Sequence, residues 1–189
     1  PANPDVHLNL ANTFLLANQP SQSLVHAAQA LQVEPGSGAA NYLAGCAYLR
    51  LGAFSNAVQS LTEAKQADRT INAVSFQLGL AYAGWGKYQD AAEQFVEVIE
   101  FDKEHPSAHY RLSQAYLRQG ARDEAAAEMA EHQRVTAGKS QQADNPALFE
   151  KCKYTDILAP FALEQPDADP VPVRFVDDTA RAFGTDASA

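Results

Sequence analysis

At 189 residues, with 46% of them apolar and a formal net charge of −9, the chain has room for one or two domains with a continuous core. Its 14 Lys and Arg face 23 Asp and Glu and form no basic stripe, which argues against nucleic acid or an anionic membrane surface as partner. The longest apolar runs are far too short to span a bilayer. The chain begins Pro1-Ala2-Asn3 rather than with methionine and is expected to be a processed product or an expressed segment.

From the N-terminus onward the chain repeats with a period of 34 residues. A small residue recurs at Ala11, Gly45, Gly79 and Ser113, and an aromatic three places later at Phe14, Tyr48, Tyr82 and Tyr116. A turn residue follows at Asn18, Gly52, Gly86 and Gly120. Next come a second small residue at Ser23, Ala57, Ala91 and Ala125 and, four places beyond, the bulky position at Ala27, Leu61, Phe95 and Met129. A fixed period of this length indicates a stacked array rather than a single enzyme-like core. The copies span about 4–37, 38–71, 72–105 and 106–137.

Each copy reads helix, tight turn, helix. In the third, Leu78, Tyr82 and Trp85 follow one helical face, and Ala91, Ala92, Phe95, Val98 and Ile99 follow another. Gly86-Lys87 lies between them, where a left-handed glycine can close the first helix. Gly79 and Ala91 are expected where the two antiparallel helices approach closely, with Tyr82 filling the space beside them. The first copy carries small residues, Ser23 and Ala27, at its core positions, as a terminal repeat can. Cys46 falls mid-helix in the second copy and Cys152 beyond the array, and both read as partly buried thiols.

The pattern Leu78-Gly79-x-x-Tyr82, Gly86, Ala91, Phe95, echoed by Leu112-Ser113-x-x-Tyr116, Gly120, Ala125, resembles the tetratricopeptide repeat family over about residues 4–137. Glu34-Pro35 matches that family's closing proline, whereas Arg69 and Lys103 stand in its place in the next two copies. The resemblance implies an all-α, right-handed solenoid of four helix-turn-helix units and a protein or peptide partner.

Past Ala137-Gly138 the character changes. Lys139 to Asp144 form a polar linker, and Asn145-Pro146 could start a short helix carrying Leu148, Phe149 and Cys152 on one side. Such a helix, within 138–153, is expected to cap the last repeat. From 154 to 189 the chain should be extended and proline-rich, with Pro160, Pro166, Pro170 and Pro172. Ile157, Leu158, Phe161, Leu163, Val171, Val173 and Phe175 are too apolar for a solvated tail. They are expected to pack on the array, against the last repeat ahead of the groove, or on a following domain. Phe175, Asp177, Thr179 and Gly184, with Phe183 where that family's glycine would fall, resemble the opening of FG-GAP/VCBS proteins of the ASPIC/UnbV type. That resemblance implies an accessory or assembly domain at the front of a larger exported bacterial protein with a downstream propeller, and so favours an exported location. The other reading of the same residues is an acidic tail.

The chain has five histidines, His7, His26, His105, His109 and His132, and a catalytic or metal role would need convergent partners around them. Pro106 separates His105 from His109 at a helix start, and Glu128 with His132 reads as a solvated helix face. Asp167 and Asp169 offer too few oxygens for calcium. With no HExxH, phosphate loop or nucleophile elbow, no enzymatic activity, metal or cofactor is expected.

The expected site is the inner groove. In a helix-pair solenoid the first helix of each repeat lines the concave face. Helical spacing places Leu8 and Asn12 there, then Tyr42, Cys46 and Leu49, then Phe76, Leu80 and Ala83, then Tyr110, Gln114 and Leu117. Tyr42, Phe76 and Tyr110 form an aromatic ladder, read either as contacts for an extended, apolar, proline-containing segment or as packing between repeats. A clamp for a terminal carboxylate, known in some members of the family, is not expected: the equivalent surface holds Asn12, Cys46, Leu80 and Gln114, and Arg50 and Arg118 lie near helix ends.

Overall fold

The computed structural model describes residues 3–137 and 152–156. They form eight α-helices: α1 (Pro4–Leu16), α2 (Pro20–Val33), α3 (Gly38–Arg50), α4 (Phe54–Ala67), α5 (Asn72–Gly84), α6 (Tyr88–Phe101), α7 (Pro106–Gln119) and α8 (Arg122–Thr136). Successive helices pair and stack into a right-handed solenoid, with no strand among the described residues.

Local chemistry sets the start of each repeat. The position before the first helix is held by Asn3, Ser37, Ile71 and His105 in turn. The Asn3 side chain accepts the Asp5 N–H at 2.9 Å, Ser37 Oγ that of Ala40 at 3.5 Å, and His105 Nδ1 that of Ala108 at 3.1 Å. Ile71 has nothing to offer, and α5 starts without a side-chain cap. Pro4, Pro20 and Pro106 occupy first turns, where a missing N–H costs nothing.

The turn inside each repeat is the same device used four times. Asn18, Gly52, Gly86 and Gly120 have φ of 56°, 71°, 80° and 85°, in the left-handed region, as the period predicts. The residue after each donates its N–H back to the carbonyl of the repeat's aromatic: Gln19 to Phe14 at 2.8 Å, Ala53 to Tyr48 at 2.9 Å, Lys87 to Tyr82 at 2.9 Å and Ala121 to Tyr116 at 3.0 Å. This six-residue closure satisfies carbonyls that the helix end would leave bare.

Between the two helices of a pair, sizes are complementary. A Cβ on Gly79 would lie 2.6 Å from Phe95 Cε1, and one on Gly45 would lie 2.5 Å from Leu61 Cγ. The large residue therefore fills the space the glycine leaves. In the first pair both partners are small, Ala11 and Ala27, each fully buried. In the fourth, Ser113 uses its small size differently, donating its Oγ proton to the Ala125 carbonyl at 2.8 Å.

Across repeats, first helices touch first helices: α1 meets α3, α3 meets α5 and α5 meets α7. The second helices make no comparable contacts with one another, so α1, α3, α5 and α7 form the inner layer of a curved stack. Two apolar clusters run through it. One spans α1 to α5 around Leu15, Tyr42, Leu43, Leu61 and Val74, and the other spans α5 to α7 around Phe95, Val98 and Leu112.

Beyond the array the described residues are 152–156. Most of the linker and capping helix, and the proline-rich stretch and propeller-like residues 174–184, lie outside the described residues. Cys152, expected on the capping helix, has extended backbone at φ −148°. Lys153–Thr155 make one 3₁₀ turn, closed by Thr155, whose Oγ1 accepts the Cys152 N–H at 2.9 Å and donates to the Cys152 carbonyl at 2.8 Å. This turn packs on α3 in the second repeat, not on the last repeat. The physical reason is a ready-made seat: Gly38 leaves room for the Tyr154 ring beside Tyr42.

Two glycines make a paired test. Gly79→Ala should cost roughly 1–3 kcal/mol by overpacking against the buried Phe95 ring, and Phe95→Leu in the same chain should recover part of it. Gly86 has open space around a would-be Cβ, so Gly86→Ala should cost only backbone strain, about 1 kcal/mol. Urea denaturation of the variants checks both. An unchanged midpoint for Gly79→Ala would refute the size complementarity.

Candidate peptide-binding groove

The inner layer places Leu8, Tyr42, Phe76 and Tyr110 at one repeat position and Asn12, Cys46, Leu80 and Gln114 at another, one helical turn on. Their environments differ sharply from end to end. Leu8, Asn12, Tyr42 and Cys46 are buried, Leu49 and Leu80 are half-buried, and Tyr110 and Leu117 are 37% and 56% exposed.

The buried half lies under the chain's own residues 152–156. The Tyr154 ring sits 5.9 Å from that of Tyr42, tilted by 44°. Asn12 Nδ2 donates to the Thr155 carbonyl at 2.9 Å, a side-chain amide holding an incoming backbone. The other amide atom, Asn12 Oδ1, is buried and meets no donor among the described residues. Lys153 Nζ reaches Asp68 Oδ2 at 3.2 Å. Cys152 and Tyr154 pack against the same apolar cluster that contains Leu8, Tyr42 and Cys46.

Asp68, at the end of α4, also accepts the Thr70 N–H at 2.9 Å and the Thr70 hydroxyl at 2.6 Å. Those bonds, followed by that from Lys153, lower its pKa to about 2. Burial, with Asp68 and Cys152 nearby, raises the pKa of the Tyr154 phenol above its ordinary value.

Phe76 does not join the ladder as a free contact. Its ring lies 5.7 Å from Phe95 and 5.2 Å from His105, within the core between α5, α6 and the start of α7. Tyr110 is held by Gln114, whose Nε2 donates to its hydroxyl at 2.8 Å, and by the His132 ring at 5.4 Å. Next to it, between α5 and α7, lies an open trough of about 680 Å³ lined by Leu80, Ala83, Arg111, Gln114, Leu117 and Arg118, among others.

The groove thus divides in two. The structure gathers Leu8, Asn12, Tyr42 and Cys46 under the docked turn, gathers Leu80, Gln114 and Leu117 around the trough, and sets Phe76 apart. Sequence reasoning missed Gly38 and Asp68, which lie at helix ends where periodicity says little. It also missed Arg111, although its place one residue after Tyr110 could have pointed to it. Arg50 Nη1 donates to the Leu15 carbonyl at 2.5 Å, tying the second repeat to the first.

The Glu128–His132 pair is not the solvated face that the sequence suggests. Glu128 Oε2 lies 2.6 Å from Nδ1 of the buried His109, whose Nε2 lies 3.1 Å from the Lys103 carbonyl. His132 Nδ1 lies 3.0 Å from the Pro106 carbonyl. These polar groups fasten α8 to α7, because an alanine-rich interface leaves room for them. Among the described residues, no group of three or more His, Cys, Asp or Glu could hold a metal ion.

A family model for the tetratricopeptide repeat matches residues 8–70 and 76–141. The chain belongs to the tetratricopeptide repeat family. Solved structures carry the same fold. A crystal structure of MamA superposes with a TM-score of 0.69 at 22% identity, over 72% of this chain and 80% of its own. MamA 41-end from Desulfovibrio magneticus RS-1 gives a TM-score of 0.69 at 17% identity, over 73% and 78%. No curated protein sequence matches the chain. Tetratricopeptide repeats form protein-interaction scaffolds, generally without catalytic activity, and this chain is such a protein-interaction scaffold. None of its described helices is long and apolar enough to cross a membrane.

In this tetratricopeptide array, Asp68 reports on both its helix end and the docked turn. Its carboxylate contributes stability that is present above the ordinary carboxylate range, near pH ~4, and is lost as pH falls through the folded value of about 2. NMR titration should place the Asp68 midpoint at about 2, with Thr70→Ala raising it more than Lys153→Ala does. A midpoint in the ordinary range would show that these bonds do not form.

Proposed function

We propose that the inner face of this scaffold binds an extended peptide segment of a protein partner, using Leu8, Asn12, Tyr42, Cys46, Leu49, Phe76, Leu80, Tyr110, Gln114 and Leu117, and that it catalyses no reaction. Phe76 takes part as the buried support of the groove wall rather than as a direct contact. The observation that carries the reading is the chain's own turn at 152–156, seated by an aromatic contact to Tyr42 and by Asn12 on its backbone. Those are the interactions an incoming peptide would use, and the carbonyl contact is indifferent to sequence. The seat is also imperfect. Asn12 Oδ1 is left without a donor, and an unmet buried acceptor carries a cost that a peptide N–H would remove. The turn is therefore a displaceable occupant, helped by its covalent attachment, which raises its effective concentration.

A fluorescein-labelled peptide spanning residues 150–158 tests this on the full chain. It should bind a Tyr154→Ala chain about tenfold more tightly than the unaltered one, since the internal competitor is weakened. Adding Asn12→Ala should reduce that binding by roughly fivefold, the worth of one hydrogen bond. Binding indifferent to both substitutions, in chains that melt normally, would refute a groove that takes peptides in this way.

A further inference from the structure

The chain is acidic overall, yet one stretch of its inner face is not. Arg111 and Arg118 both line the 680 Å³ trough between α5 and α7, together with Leu80, Ala83, Gln114 and Leu117, and no acidic side chain lines it. Some other cations of the chain do meet carboxylates: Lys65 pairs with Glu97, Arg134 with Glu131 and Lys153 with Asp68. Among the described residues neither Arg111 nor Arg118 pairs with a carboxylate. Arg111 donates only to Gln114 Oε1, at 3.3 Å, and lies 5.7 Å from the Tyr110 ring. In a chain with 23 acidic residues against 14 basic ones, the trough thus gathers two arginines and no carboxylate beside apolar side chains.

Their spacing narrows the ligand. Seven residues are two turns of helix, so Arg111 and Arg118 share one face of α7, about 10.5 Å apart along its axis. A polyproline-type segment repeats its direction every third residue and rises about 9.3 Å in doing so. Two carboxylates three residues apart on such a segment therefore match the two guanidinium groups, and the side chains between them face Leu80 and Leu117. A single terminal carboxylate would meet one arginine and leave the other.

We propose that this trough docks a partner segment in extended, polyproline-type conformation that carries two internal Asp or Glu side chains three residues apart with apolar residues between them. The inference rests on the peptide-groove reading and adds the chemistry of its ligand. It also differs from a terminal-carboxylate clamp, because the charges addressed are two and internal.

The probe is an acetylated and amidated peptide, Gly-Leu-Glu-Phe-Pro-Glu-Leu-Gly, with a twin bearing glutamine at both glutamate positions. Each is labelled and titrated into the full chain by fluorescence polarisation. The acidic peptide should bind more tightly than its twin and weaken as salt is raised. Arg111→Gln and Arg118→Gln should each weaken it by about three- to fivefold and leave the twin unaffected. Arg118→Glu should reverse the preference toward a peptide with lysine in place of the second glutamate, a gain that a misfolded variant could not give. Equal binding of the acidic and neutral peptides would overturn this inference and leave the groove reading intact. Failure of both to bind would overturn both. A chain that sediments as a dimer and dissociates on Arg118→Glu would assign the trough to a second copy and overturn the choice of occupant.

Discussion

The contact on which the rest of the structure depends is the close approach of the two helices in each pair. Where Gly79 faces Phe95 and Gly45 faces Leu61, a single missing Cβ lets a large ring or branched side chain lie flat against a backbone. That closeness sets the angle of the pair. The angle, repeated with the same left-handed turn at Asn18, Gly52, Gly86 and Gly120, sets the curvature of the stack. Because each repeat touches only its neighbours, a small fixed rotation per repeat accumulates into a concave face.

The groove is a consequence of that curvature, and its occupancy follows from what the inner helices present. First helices pack on one another, whereas second helices reach one another through long side chains such as Lys65 of α4, which meets Gln94 and Glu97 of α6. At the inner face, burial falls from Leu8, Asn12 and Tyr42 to Tyr110 and Leu117. The burial has two sources: residues 152–156 bring a tyrosine ring to Tyr42 and a backbone carbonyl to Asn12, while Phe95 and His105 enclose Phe76.

The repeat architecture was legible because it is written four times. Any one of Ala11, Gly45, Gly79 or Ser113 would be an unremarked small residue, but together they reveal a backbone constraint. The left-handed turns were legible for the same reason. What escaped the sequence lies where periodicity stops. The seat at Gly38 and the cap at Asp68 belong to helix ends, and the docked turn at Lys153–Thr155 has no period at all. Its placement depends on a contact between residues far apart in the chain, such as Asn12 with Thr155, and no local pattern encodes that. Phe76 shows the converse failure. It shares a repeat position with Tyr42 and Tyr110, yet the neighbouring Phe95 and His105 draw it into the core, because identical register does not guarantee identical surroundings. The polar fastening of α8 through His109 and Glu128 was hidden for a similar reason, since the helical face looked solvated until its partner helix was in place.

Charge distribution joins these threads. A chain with net charge −9 repels acidic partners at long range, while salt in solution shortens that repulsion to roughly a nanometre. Within that distance a ligand feels the local surface, and the local surface differs along the stack. At the covered end, Asp68 receives a lysine from the chain's own turn. At the open end, Arg111 and Arg118 stand without an acid beside them. The two ends of the array therefore differ in charge, with a carboxylate engaged by the docked turn at one and two arginines of α7 lining the trough at the other.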